Sequence, residues 1–116
     1  MEKFEFDYYA WGEFDQFLDH LPNKDAAPLI APIQNIENNG LLAAERQLWV
    51  KKLENNLSEI RSKRASNIQR AIYFQVKGSQ YIVTNAFTKK TPKTPENEKQ
   101  IARNRRSQYL NKEENQ

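Results

Sequence analysis

The chain has 116 residues, no cysteine, one histidine, and 18 Lys or Arg against 15 Asp or Glu. That length fits one domain with a modest core. The missing cysteine excludes disulfides, a thiolate nucleophile and a thiolate-held metal, and no apolar run approaches the roughly 20 residues a bilayer requires. The net charge of +3 conceals a polarity: residues 1–60 carry 5 basic and 11 acidic side chains (−6), residues 61–116 carry 13 and 4 (+9). A polyanionic partner is therefore expected for the C-terminal half, although a solvated lysine-rich surface has the same composition. With an acidic, aromatic N-terminus and no signal-peptide pattern, a cytoplasmic location and no membrane contact are expected.

Phe4, Phe6 and Tyr8 alternate with Glu5 and Asp7, the period-two signal of a strand with one buried face. Trp11, Phe14, Phe17, Leu18 and Leu21 recur at helical spacing, and Pro22 stops them. Ala27, Ile30, Ile33 and Ile36 predict a second helix ending at Asn39-Gly40, with Pro32 expected in its first turn. Leu41–Lys52 shows no clear period; Leu48, Trp49 and Val50 are expected to anchor it to the core. Asn55-Asn56 predicts a tight turn, since asparagine tolerates the left-handed region. Three antiparallel strands then follow over Leu57–Ser62, Ile68–Val76 and Tyr81–Thr88. At the end Thr94 is a good N-cap and Pro95 fits the first helical position, while Glu96 and Glu98 suit the positive end of the dipole. This last helix has only Ile101, Ala102, Tyr109 and Leu110 as apolar contacts, so docking must stabilise it, and residues 111–116 read as a fraying tail after a single domain over 1–110. Helices arriving together rather than alternating with strands predict an α+β fold: a small antiparallel sheet, two N-terminal helices on one face and a basic C-terminal helix.

The chemistry-bearing residues lie in the basic half. Arg70 interrupts an apolar stripe of Ile68, Ile72, Phe74 and Val76, where a guanidinium is costly unless it is paired, for instance with Glu59, or faces a polar concavity. Arg61 could join it or could simply pair with Glu59, two residues away on one strand face, and the register is open. If Ser62 pairs with Ile68, the arginines face opposite sides, and a slip of one residue brings them together. Phe87–Pro95, FTKKTPKTP, sets Lys89, Lys90 and Lys93 on a stiffened loop that can hold a phosphate backbone. Clustering depresses a lysine pKa towards the range of a general base, while neighbouring lysines stay charged. A solvated basic turn is the plainer reading. His20, at the end of an acidic helix, reads as solvated, which excludes a two-histidine ribonuclease. There is no His/Cys cluster, no GxxxxGK[ST] and no GxGxxG, so no metal and no small-molecule cofactor is expected.

FTKKTPKTP resembles the FxKKTxKTP signature of the phage-derived, HigB-like branch of the RelE/ParE toxins. VKKLENNLSEIR (Val50–Arg61) and ARNRRSQYL (Ala102–Leu110) are similar to further segments of that family. The resemblance implies two N-terminal helices over one face of a small sheet, and an mRNA endoribonuclease in which a 2′-hydroxyl attacks the adjacent phosphate. Arg70 would clamp that phosphate, Lys89, Lys90 and Lys93 would supply charge and the base, and Arg61 and Tyr109 would assist. Lys63, Arg64, Arg103 and Arg106 would add RNA contacts. Implied partners are mRNA, the ribosome and a HigA-like antitoxin with a helix-turn-helix domain. Asn85 stands where the family often has histidine, and Pro92 where glutamine is more usual. The rival expectations are a ParE-like gyrase inhibitor and a non-toxic nucleic-acid-binding module.

Overall fold

A computed structural model describes residues 5–21, 23–40, 50–61, 68–89 and 93–114, of which 23–28, 68, 89, 113 and 114 are described by backbone alone. In chain order the elements are β1 (Glu5–Tyr8), α1 (Trp11–Asp19), α2 (Asn23–Asn39), β2 (Val50–Glu54), β3 (Leu57–Arg61), β4 (Ile68–Lys77), β5 (Gln80–Lys89) and α3 (Glu96–Glu114). Together they form a mixed fold: one five-stranded sheet in the order β1-β5-β4-β3-β2, with helices on both faces.

The period-two pattern makes β1, with Phe6 buried between exposed Glu5 and Asp7. It does not make the sheet antiparallel throughout. β1 lies parallel to β5, pairing Glu5 with Gln80 through Tyr8 with Val83, while every other pairing is antiparallel. The reason is topological: α1 and α2 carry the chain from one sheet edge to the other, and the meander then returns to β1's side. β2 is an additional strand. Its consecutive exposed Lys51 and Lys52 obscure the alternation, as suits an edge strand kept from pairing with other chains.

α2 begins earlier than its apolar period suggests, so Pro32 lies deep inside the helix rather than in its first turn. Its missing donor and ring clash cost about 3 kcal/mol. Burial of Pro32 itself with Leu29, Ile33 and Ile36 offsets this, at about 1.5–3 kcal/mol for each large apolar side chain. Gly40, at φ 87°, closes the helix as a left-handed C-cap, and its N–H bonds the carbonyl of Ile36. Among the described residues, Asn56 is the non-glycine residue with positive φ, at 52°. Its amide both accepts from the N–H and donates to the carbonyl of Gln75 (2.9 and 3.0 Å), which locks the β2-β3 turn onto β4.

The two sheet faces bury different cores. Under α1 and α2, Phe6, Ile60, Ala71, Tyr73, Tyr81 and Val83 meet Phe14, Leu29, Ile33 and Ile36. Under α3, Leu57, Ile72, Phe74, Ile82 and Phe87 meet Ala102, flanked by Tyr109 and Leu110. Ile101, expected among these contacts, is exposed, and the helix runs through residues 111–114, where fraying was expected. No described helix is long and apolar enough to cross a membrane.

Candidate functional site

The register of β3 on β4 brings the two arginines together, because Arg61 pairs directly with Arg70. Side chains alternate along a strand, so Glu59, two residues before Arg61, shares their face. That face is otherwise the apolar one under α3: Glu59 lies opposite Ile72, and Arg70 opposite Phe87. Glu59 is fully buried and Arg70 is 3% exposed, whereas Arg61 is 30% exposed and is the member that reaches solvent. Glu59 Oε1 lies 3.4 Å from Arg70 Nε and 3.7 Å from Arg61 Nη2. On its other side, Glu59 Oε2 accepts a hydrogen bond of 2.8 Å from Thr94 Oγ1.

Among the described residues, two guanidinium groups and one carboxylate leave this cluster with one net positive charge. Burial pushes the Arg70 pKa below its ordinary value; Glu59 opposes that shift and Arg61 adds to it. Arginine still remains charged at any ordinary pH. The Nε atoms of Arg61 and Arg70 are both buried and make no well-aligned hydrogen bond among the described residues, and Arg70 Nε keeps only its 3.4 Å ion pair with Glu59 Oε1. Donors of this kind, in a partly dehydrated positive cluster, suit an oxyanion such as a phosphodiester.

The lysine loop leaves and returns beside this pair. β5 ends at Lys89, opposite Ile68 and two residues beyond the partner of Arg70. Exposed Lys93 immediately precedes Thr94. Lys63, Arg64 and Lys90 lie outside the described residues. The helix start differs by one residue from expectation. The Pro95 carbonyl accepts from Glu98 and Lys99 N–H, so Pro95 takes the N-cap place and the Thr94 hydroxyl turns to Glu59.

The other candidates are placed elsewhere. Tyr109 packs edge-on against Phe74 (5.9 Å between ring centroids), and Phe74 itself lies four residues, about 13 Å, along β4 from Arg70. Arg103, expected to meet RNA, bonds both oxygens of Glu54 (2.6–3.1 Å) and Glu96 (2.8 Å). Its hydrogen bonds hold both carboxyls below their usual range, and its own pKa is raised. Arg106 donates to the carbonyls of Asn55 and Asn56 (3.0 and 3.1 Å). Arg105 pairs with Glu13 (2.7 Å) and donates to the Thr84 carbonyl (2.8 Å). The basic helix thus turns its arginines inward, onto the sheet, the β2-β3 turn and α1.

Asn85 also serves this docking. It is 6% exposed, donates to the carboxylate and carbonyl of Glu98 (2.8 and 3.3 Å), and accepts from Thr84 Oγ1 (2.7 Å). His20 is exposed, with Nδ1 2.7 Å from the Gln16 carbonyl. It lines a cleft of about 410 Å³ between α1, β5 and Arg105, away from the arginine pair. Sequence reasoning underrated Glu59 and Thr94. The available signal was a carboxylate at alternate spacing from Arg61 on a strand whose other inward residues are apolar.

A family model described as phage-derived protein, Gp49-like (DUF891), matches residues 16–107, a span that includes Glu59, Arg61, Arg70 and Thr94. No curated protein matches the chain.

Proposed function

We propose that this chain, which belongs to the phage-derived Gp49-like family, a relative of the RelE/ParE-type toxins, is the toxin of a type II toxin-antitoxin module and cleaves mRNA. The observation that carries this reading is the pairing of Arg61 with Arg70 across β3 and β4, beside the point where the lysine loop joins the sheet. Two adjacent arginines sharing one buried carboxylate leave, among the described residues, one cation uncompensated, as expected of a site made for an anion.

In the proposed reaction the 2′-hydroxyl oxygen attacks the adjacent phosphorus, and the bond from phosphorus to the 5′-oxygen breaks. The products are a 2′,3′-cyclic phosphate and a free 5′-hydroxyl. Arg61 meets the phosphate from the solvent side and Arg70 reinforces the positive potential behind it. A lysine among Lys89, Lys90 and Lys93, in its neutral form, takes the 2′-hydroxyl proton, and the ammonium so formed returns a proton to the leaving 5′-oxygen. No step is routed through a metal. The inward commitment of Arg103 and Arg105 favours a localised site over general nucleic-acid binding along α3. The proposed setting is cytoplasmic and ribosome-dependent, with neutralisation by a helix-turn-helix antitoxin of the HigA type.

Induced expression with transcript 5′-end mapping tests this. Wild type should arrest growth and create new 5′ ends, and Arg61→Ala should create none. Arrest with intact transcripts would sink the ribonuclease reading, and accompanying DNA damage would point to gyrase instead.

A further inference from the structure

Glu59 takes no part in the bond-making steps above, yet it is a fully buried carboxylate in contact with both arginines. Residues paired across adjacent strands have Cα atoms only about 4.5–5.5 Å apart, so without compensation the guanidinium groups of Arg61 and Arg70 would repel each other away from the sheet face. A single oxygen of Glu59 lies near both, 3.4 Å from Arg70 and 3.7 Å from Arg61, and so cancels one charge while leaving the other. The second oxygen holds Thr94, the residue through which the lysine loop enters α3.

We propose that Glu59 is the positioning residue of the site: its carboxylate sets the spacing at which Arg61 and Arg70 face the reacting phosphate, and through Thr94 it anchors the chain next to Lys93 to the same carboxylate. The inference rests on the ribonuclease reading and adds a residue that touches no substrate.

Glu59→Gln is the informative change. The amide oxygen can still accept from Thr94 at nearly unchanged volume, but the cluster goes from one net positive charge to two. RNA should then bind at least as tightly while the arginines splay. On ribosomes programmed with a defined mRNA, kcat should fall at least about 30-fold and KM should stay level or fall. Binding of an uncleavable RNA, with 2′-deoxy at the cut site, should become more salt-dependent, its log-log slope steepening by about 0.7 for one extra uncompensated cation. A purely structural role would lower the melting temperature and leave that slope alone.

Cleavage by Glu59→Gln within threefold of wild type, or loss of cleavage with an unchanged slope, overturns the positioning role and leaves the ribonuclease reading standing. Absence of cleavage by wild type removes both. If Glu59→Gln does not fold, Glu59→Asp decides. It keeps the charge but draws it back by one methylene, so the wild-type slope should persist with kcat lowered about tenfold, and a wild-type kcat would overturn the role.

Discussion

Arg61 and Arg70 face each other across neighbouring strands and differ tenfold in exposure, 30% against 3%, with Glu59 touching both. The two should therefore fail differently when truncated. Arg61→Ala removes the solvent-facing charge, and cleavage should fall by at least about 100-fold while the melting temperature barely moves. Arg70→Ala removes the closer partner of a buried carboxylate, and should lower stability by about 3 kcal/mol as well as abolishing cleavage. Denaturant melts beside single-turnover cleavage would separate them; equal stability of the two variants contradicts this division.

Arg103→Ala should loosen α3 without weakening RNA binding by the folded protein, because its guanidinium is held by Glu54 and Glu96. Faster amide exchange along 96–114, with unchanged affinity for uncleavable RNA, is the expected pair of results. A large loss of affinity in a variant with unaltered exchange would return Arg103 to the RNA-contacting set.

The same clasp should be sensitive to acid. Glu54 and Glu96 have folded pKa values below their ordinary 4.5, chiefly through hydrogen bonds from Arg103. Groups depressed in this way contribute stability that is complete above the unfolded value and drains away as pH falls through the folded one. α3 should therefore exchange faster at pH 3 than at pH 6 after correction for intrinsic rates, and Arg103→Ala should show a smaller difference. An equal difference in the variant would place the acid sensitivity elsewhere.

Asn85→Ala should destabilise the protein by about 1–3 kcal/mol, the cost of leaving buried polar partners unmatched, because it breaks the bonds to Glu98 and Thr84. Cleavage per folded molecule should change less than threefold, and Asn85→His should not raise it. A rise in turnover with histidine would show that this position can exchange a proton with the substrate.

What the sequence revealed and what it concealed divide by range. The alternation around Phe6, the cap at Gly40 and the left-handed Asn56 depend on neighbours, and each appears where local rules put it. The Arg61-Arg70 register depends on how the chain pairs across residues 62–67, and a slip of one would have separated the pair without altering the composition of either strand. The inward roles of Arg103 and Arg106 depend on Glu54, Asn55 and Asn56, about fifty residues away, so a basic helix read alone looks like a nucleic-acid surface. β2 was obscured for the opposite reason, because an edge strand with two exposed lysines scarcely alternates.

The parallel partnership of β1 with β5 joins Glu5 to Gln80. Contacts of such high separation close late, since the entropy of the intervening loop must be overcome before they yield any gain. The first strand therefore waits for the fifth while α1 and α2 keep their apolar faces without a complete sheet to cover. Thr94 and α3 come later still in synthesis, so the arginine pair acquires its full surroundings only once α3 has emerged. A growing chain carries every charge of the site before it carries the site itself.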